Sequence, residues 1–260
     1  MIEKDVLLKM GRYEQPYQQE KDYLQELFLG GIYSSFDDSL VFKGGTALSK
    51  FYGSGRFSDD LDFTAALSKM DPKDMESRIG KIVEMEGRSY PTKVLRKSLK
   101  REMMTYELSV RGPLFGTIGK YQHLKIETAI HASVIEKPLA FRINPPYPDL
   151  PPYVAAVMQE VEILAEKVVV LLFRQTPKAR DLYDICFLIR KGVEVRVSLV
   201  DRKMQEYGHV FSGQQLDRRM DAIGKIWGKE LERLIPKKGF IAYGEARKTV
   251  MDGFREAGLV

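Results

Sequence analysis

Asp60 and Asp62 alternate with the apolar residues Leu61 and Phe63. Successive side chains of a β-strand point to opposite faces, so the two carboxylates would share one face of a strand. Carboxylate oxygens are suitable ligands for a hard cation such as Mg²⁺, which in turn bridges to phosphates. The pair predicts a metal site, but acidic pairs are also common on solvated turns, so this interpretation needs support from elsewhere in the chain.

A glycine turn upstream of the aspartates gives that support. Gly44, Gly45 and Thr46 follow the apolar run Leu40–Phe42 and precede a predicted helix over 46–52. Glycine allows close approach of a ligand to the backbone, and the N–H groups at a helix start favour an anion. Phosphate-binding and metal-binding residues close together in the sequence are typical of phosphoryl or nucleotidyl transfer.

Glu127 is the candidate for a third carboxylate. It lies in a predicted strand over 123–130, in which Leu124, Ile126, Thr128 and Ile130 form one face, while Lys125, Glu127 and Ala129 form the other. An unpaired charge among apolar neighbours is costly. We therefore expect a metal, or a lysine or arginine partner, at Glu127.

The order of the predicted elements indicates an α+β fold in two parts. The proline-rich segment 143–152 looks like the boundary, with a domain of mixed sheet and helices over 1–150 and a helical domain over 151–260. Hydrophobic periodicity predicts helices over 18–33, 72–87, 157–174, 179–191, 212–234 and 243–257, and strands over 40–42, 61–66, 105–111 and 123–130.

Composition excludes several classes of protein. The chain has 260 residues with 44% hydrophobic and 30% charged content, and no apolar run is long enough to span a membrane. Residues 1–5 lack a signal-peptide pattern, and Cys186 is the single cysteine, so we expect a cytoplasmic protein without intrachain disulfides. Three histidines and one cysteine do not readily form a structural zinc site.

The basic residues are unevenly distributed. The net charge is +5, and the segment 93–101 is rich in lysine and arginine. Such a segment can contact RNA, or it can be a solvated loop or an exposed strand. The sequence leaves both interpretations open.

Three sequence blocks together resemble a known family. The Gly45-Thr46 pair followed by Asp60-Leu-Asp62-Phe is similar to the signature of the DNA-polymerase-β-like nucleotidyltransferase superfamily. The fuller strings, with Ala165-Glu-Lys-Val, Arg174 and the segment 179–184, look like the AbiEii/AbiGii group of nucleotidyltransferase toxins. The resemblance extends over about residues 20–190 and implies a polymerase-β-like palm with a mixed sheet, followed by a helical C-terminal part.

The resemblance also implies roles for individual residues. Gly44, Gly45 and Thr46 would hold the triphosphate, while Asp60 and Asp62 bind Mg²⁺. Glu127 would be the base or a further metal ligand, and Lys167 would contact the phosphates. The nucleotide-binding candidates are Arg56, Ser58, Arg180, Asp181 and Asp184.

Several of these residues have structural alternatives. Lys167 could form an ion pair with Asp181 or Asp184, or extend its ammonium group to solvent. Arg180 could pair with Asp184 at i,i+4. Arg56 and Ser58 could instead cap the loop before the carboxylate strand.

The resulting hypothesis is a Mg²⁺-dependent nucleotidyltransferase that moves a nucleoside monophosphate from an NTP to a hydroxyl, releasing pyrophosphate. By the resemblance it would be the toxin of a toxin–antitoxin or phage-defence pair, with tRNA as acceptor and a protein antitoxin as partner. Two alternatives stay open: transfer to a protein or small molecule, and a non-catalytic nucleotide- or RNA-binding module.

Overall fold

A mixed β-sheet organises the first part of the chain. The computed structural model describes residues 1–10, 13–65, 71–100, 102–130 and 132–260. The described residues group into two compact units, one of 1–46 and 59–158 and another of 47–58 and 159–260. The change from the first unit to the second falls within helix α3 (Gly44–Phe51). The functional division predicted at residue 150 stays a prediction.

The described residues of the first unit form a seven-stranded sheet in the order β3-β4-β5-β2-β1-β7-β6. The β2–β5 and β1–β7 pairs are parallel and the other pairs are antiparallel, which makes the sheet mixed as predicted. The strands are β1 (Leu40–Lys43), β2 (Leu61–Ala65), β3 (Thr92–Lys100), β4 (Met103–Val110), β5 (Gln122–Ala129), β6 (Leu139–Ile143) and β7 (Tyr153–Val157).

Two long helices contact the same face of this sheet. Helix α2 (Pro16–Ser35) places Tyr33 against Phe63 of β2, with ring centroids 6.4 Å apart. Helix α4 (Pro72–Ser89) accepts a hydrogen bond from the Tyr106 hydroxyl of β4 at the Glu76 carbonyl. Phe63 and Tyr106 are both buried, so this face forms the core of the unit. A short helix, α1 (Lys4–Met10), precedes α2.

Helix α2 buries polar side chains as well as its predicted apolar stripe. Glu20 accepts hydrogen bonds from the Leu114 amide and the Gln122 side chain, and Asp22 accepts one from Tyr147. Buried polar groups need such partners, because an unsatisfied one costs about 1–3 kcal/mol. These partners come from distant segments, which is why sequence periodicity predicted only the apolar stripe.

The second unit is helical in its described residues. Helix α5 (Glu160–Phe173) is apolar on most sides and packs against α6 (Ala179–Arg190). The remaining helices are α7 (Val197–Gln205), α8 (Gly213–Gly224), α9 (Trp227–Leu231), a 3₁₀ turn (Lys237–Gly239) and α10 (Tyr243–Glu256). None of the helices in the described residues combines the length and apolar character needed to cross a bilayer.

Two predictions of helix bounds need correction. The predicted helix over 212–234 is divided into α8, which ends at Gly224, and α9. The Tyr243 ring packs against Gly224, and its hydroxyl donates a hydrogen bond to the Met220 carbonyl. The helix after the glycine turn begins at Gly44 rather than Thr46. The proline-rich segment 143–152 connects the paired strands β6 and β7, and the functional division predicted there stays a prediction. Ala66, the predicted end of the carboxylate strand, lies outside the described residues.

Candidate functional site

The glycine turn lies directly against one of the two aspartates. Gly44 has φ +76°, a conformation that side-chain-bearing residues rarely adopt. A Cβ atom at Gly44 would overlap Oδ2 of Asp62. Only glycine therefore fits between strand β1 and the carboxylate, and the turn and the acidic strand form one local structure.

Thr46 ties the same turn to the other aspartate. Its hydroxyl donates a hydrogen bond to the backbone carbonyl of Asp60, and its side chain is buried. This bond fixes the start of helix α3 against the segment that leads into β2. The hydroxyl is thus engaged in the fold, and any contact of Thr46 with a phosphate would come from its backbone N–H.

Strand register brings a second carboxylate beside Asp62. Asp62 is paired with Lys43 on β1 and with Glu127 on the parallel neighbour β5. Directly paired residues of adjacent strands point to the same face. Leu61 and Phe63 are buried on the opposite face. The structure therefore brings Asp62 and Glu127 together on the sheet face opposite the buried one.

Lys125 is the basic partner of this acidic group. Its Nζ lies 2.8 Å from Oε1 of Glu127. Partial burial would lower the pKa of Lys125, but the hydrogen bond and charge of Glu127, together with the charges of Asp60 and Asp62, raise it above its ordinary value. All three carboxylates therefore act on one ammonium group. A lysine partner for Glu127 was one of the two expected explanations for its place on the strand.

The donor chemistry of Asp60 and Asp62 fits Mg²⁺. Within the described residues, no group of three or more His, Cys, Asp or Glu side chains is arranged to hold a metal ion. Mg²⁺ in phosphoryl-transfer sites is commonly held by one or two carboxylates, with substrate phosphates and water as the other ligands. Asp60 and Asp62, beside the glycine turn, supply carboxylates of this kind, while Glu127 has Lys125 as its partner.

Lys21 is a residue near this site that sequence reasoning missed. It lies on α2, donates a hydrogen bond to the His123 carbonyl, and has its Nζ 3.9 Å from Oδ1 of Asp59. Burial lowers its pKa even though the charges of Asp59 and Asp60 act in the opposite direction. Lys21 stands among other polar residues in the sequence, so no pattern distinguished it.

The second unit contains a buried ionic cluster around Asp184. Arg56 donates from Nε and Nη2 to the two carboxylate oxygens of Asp184, at 2.8 and 2.9 Å. Lys167 lies 2.8 Å from Oδ2 of Asp184 and 3.3 Å from Oδ1 of Asp181. Arg174 lies 3.1 Å from Oδ2 of Asp181. Three cations thus meet two carboxylates.

Burial and charge act in opposite directions on the pKa values of this cluster. Burial alone would raise the pKa of Asp184, but Arg56 and Lys167 lower it to about 2. Burial would lower the pKa of Lys167, but the charges of Asp184 and Asp181 raise it. The Asp184 and Lys167 side chains are therefore both charged at neutral pH.

These contacts bear on the structural alternatives for the predicted nucleotide-binding residues. Asp184 has Arg56 and Lys167 as partners, so the predicted pairing with Arg180 is not the one that holds this carboxylate. Arg56 is 2% exposed and also donates to the Phe57 carbonyl, which favours the structural alternative for this residue. Arg180, on α6, and Ser58, on the loop before β2, are half-buried. Their contact with a nucleotide stays a prediction.

Comparison with known families matches most of the chain. A family model described as "Nucleotidyl transferase AbiEii toxin, Type IV TA system" matches residues 27–241. This range includes every site residue predicted from the sequence. No curated protein sequence matches the chain.

Solved structures with a similar fold include two bacterial proteins. MenT4, the nucleotidyltransferase toxin Rv2826c from Mycobacterium tuberculosis H37Rv, aligns with a TM-score of 0.59 and 19% identity, covering 100% of this chain and 91% of that one. JHP933 from Helicobacter pylori aligns with a TM-score of 0.52 and 16% identity, covering 93% and 92%. At these identities the similarity establishes the fold, and it agrees with the α+β architecture predicted from the sequence.

Proposed function

This chain belongs to the AbiEii family of nucleotidyltransferase toxins of type IV toxin–antitoxin systems, and on that premise we propose that it transfers a nucleoside monophosphate from an NTP to a hydroxyl acceptor and releases pyrophosphate. The observation that carries the proposal is the contact between Gly44 and Asp62, which leaves no room for a Cβ atom. It joins the glycine turn, which would bind phosphate, to a carboxylate that would hold Mg²⁺.

The residues of the first unit would bind the triphosphate, hold the metal and accept the proton. The backbone N–H groups at Gly44, Gly45 and Thr46 bind the triphosphate, and the carboxylates of Asp60 and Asp62 supply oxygen ligands. Mg²⁺ bound there would activate the attacking oxygen and neutralise the charge of the departing pyrophosphate. Glu127, beside Asp62 in the sheet, accepts the proton of the attacking hydroxyl.

The ionic cluster of the second unit supports a role for Lys167 at phosphate groups. Among the described residues of this cluster, the cations Arg56, Lys167 and Arg174 lie against the carboxylates of Asp181 and Asp184, so cations outnumber carboxylates there. An anion is the natural complement of such an excess. Asp181 and Asp184 would then position Lys167, and Arg180 would contact the nucleotide.

We further propose that the acceptor is RNA, with tRNA as the first candidate, and that a protein antitoxin is the partner. The acceptor proposal rests on the basic strand β3, of which Lys93 and Arg96 are exposed, and on the net charge of +5. Arg101, at the end of the predicted RNA-contacting segment, lies outside the described residues. The antitoxin proposal and the expected cytoplasmic location rest on the family.

The test is a labelling experiment with the intact protein. Mg²⁺, each α-³²P-labelled NTP in turn and total RNA are incubated with the protein, and the products are separated on a denaturing gel. Label on bands of tRNA size, lost when Mg²⁺ is chelated, is the expected result. Label on protein would instead establish protein nucleotidylation. Binding of NTP without any labelled product would contradict the proposed transfer.

A further inference from the structure

The sheet face that carries Asp62 and Glu127 continues outward along strand β5. Glu127, Lys125 and His123 alternate on this strand, and Tyr121 immediately precedes it in the same alternation. Lys125 and Glu127 are half-buried, whereas His123 and Tyr121 are exposed. At about 3.3 Å per residue, this row extends about 20 Å from Glu127 to Tyr121.

A cavity of about 490 Å³ lies at the far end of the row. Its lining includes Tyr121, Arg111 and Lys93, together with Ser109 of β4. Ser109 is paired with Lys93 on β3 and with His123 on β5, which places all three on the same face as Glu127. The cavity and the carboxylates therefore belong to one continuous sheet face of the first unit.

The residues around this cavity combine aromatic rings with cationic side chains. The Tyr121 ring is half-exposed and lies 4.6 Å from the Phe115 ring, and the Arg111 guanidinium lies 4.4 Å from the same Phe115 ring. Aromatic rings and guanidinium planes stack on unpaired bases, and lysine and arginine neutralise phosphates. Tyr121, Arg111 and Lys93 supply both kinds of contact around one space.

The outer strand gives a direct internal comparison. Lys93 and Arg96 are paired with Ser109 and Glu107 on the face of the cavity. Lys97 is paired with Tyr106, so it points to the opposite face, where its Nζ lies 2.7 Å from Oε1 of Glu76 on α4. The basic residues of β3 are thus divided between two faces, and only one of these faces carries the carboxylates.

We propose that the cavity lined by Tyr121, Arg111 and Lys93 binds an unpaired nucleotide of the RNA acceptor, several nucleotides before the terminal hydroxyl. The inference rests on the proposed function, which supplies the position of that hydroxyl beside Glu127. A single-stranded end lying along the β5 row would connect the two places. The acceptor would then need a single-stranded end rather than a blunt duplex.

The test measures the KM for RNA, the KM for NTP and kcat for variants of the intact protein. Tyr121→Leu removes the stacking ring and should raise the KM for RNA about fivefold or more, with the KM for NTP unchanged. Tyr121→Phe keeps the ring and should restore the wild-type KM. Lys93→Gln should lower the slope of log affinity for RNA against log salt concentration by about one, the loss of one phosphate contact. Lys97→Gln, on the opposite face, should leave that slope unchanged.

A second readout separates this proposal from the proposed function. Binding of a fluorescent single-stranded RNA is followed by anisotropy without NTP. Wild-type transfer to RNA with an unchanged KM and affinity in Tyr121→Leu would overturn the cavity proposal and leave the transfer activity in place. A raised KM for NTP alone would assign the cavity to the nucleotide donor and also overturn it. Absence of both RNA labelling and RNA binding in the wild type would overturn the RNA acceptor itself.

Discussion

Two independent features require glycine at position 44. Its positive φ is one constraint, and the nearby Asp62 carboxylate is another. The positive φ follows from the turn between β1 and α3. The nearness of the Asp62 carboxylate follows from the pairing of β1 with β2. A substitution at Gly44 should therefore affect both stability and activity.

Gly44→Ala is expected to abolish nucleotidyl transfer, because the added Cβ displaces the Asp62 carboxylate. The left-handed conformation should cost about 1–2 kcal/mol of stability in addition to the steric clash. Gly53→Ala is the matched control, since Gly53 has φ +81° but no atom within 4 Å of an added Cβ. The Gly53→Ala protein should lose a similar amount of unfolding free energy through its backbone conformation and should keep its transfer activity. Urea unfolding and the labelling assay measure the two effects, and full activity in Gly44→Ala would contradict this account.

Asp184 is the residue that neutralises the buried cations Arg56 and Lys167. Asp184→Asn should lower the free energy of unfolding by about 3–5 kcal/mol, since it leaves two charges without their carboxylate. Asp252→Asn, which removes an exposed partner of Arg255 on α10, should change it by no more than about 0.5 kcal/mol. Lys167→Ala removes a partner of the same carboxylates, so it should destabilise the fold as well as affect activity.

The Asp184 carboxylate should also contribute to the acid sensitivity of the fold. Its folded-state pKa of about 2 lies below its ordinary value of 3.8, so its contribution is complete above about pH 4 and is lost as the pH falls through 2. That contribution is about 2 kcal/mol. The stability difference between wild type and Asp184→Asn should therefore narrow below pH 4. A difference that stays constant down to pH 2.5 would contradict the assigned charge state.

At the scale of elements, the packing of α4 on α2 contains one unfavourable charge. A Cβ atom at Gly31 of α2 would lie 2.8 Å from Oε1 of Glu86, so the glycine admits this side chain between the helices. Burial raises the pKa of Glu86 to about 6. At neutral pH the Glu86 carboxylate is therefore ionised in this interface, and its charge lowers the stability of the fold.

Glu86→Gln should increase stability at pH 8 and leave it unchanged near pH 4.5. A folded-state pKa above the ordinary value means that the folded protein loses stability as the pH rises through 6. Removal of the charge should recover about 1 kcal/mol at pH 8. Glu84→Gln, on the exposed side of the same helix, should show no such pH-dependent gain. The same pH-dependent gain in stability from Glu84→Gln and Glu86→Gln in urea unfolding would contradict the assignment of this gain to the burial of Glu86.

Local patterns predicted those elements that periodicity and glycine or proline define. The helices around α2, α4 and α6 and the strands β1, β2 and β5 agree with their predictions to within a few residues. Strand β3 is mostly exposed and so lacks the alternation that marks a half-buried strand. Strands β6 and β7 are short and are paired across a proline-rich connection. Their formation depends on pairing with other strands, which periodicity within one segment does not report.

For the molecule as a whole, the sequence motifs predicted the acidic pair, the glycine turn and the α+β fold. Pairing between distant strands placed Glu127 beside Asp62, and this register could not be read from either strand alone. The partners of Lys167 were anticipated, because Asp181 and Asp184 lie one helix away in the sequence. A lysine partner was expected for Glu127 but was not identified as Lys125. Lys21 was missed, because a lysine in a helix gives no signal of what it contacts.

Asp62→Asn is the decisive substitution for the proposed role of the carboxylate pair in nucleotidyl transfer. This substitution keeps the shape of the side chain and removes its charge. Single-turnover transfer from α-³²P-labelled NTP to RNA is compared among wild type, Asp62→Asn and the exposed control Asp252→Asn, with unfolding curves for each. We expect transfer by wild type and Asp252→Asn, and a transfer rate at least about a hundredfold lower in a folded Asp62→Asn. Transfer at the wild-type rate in Asp62→Asn would contradict the proposed role.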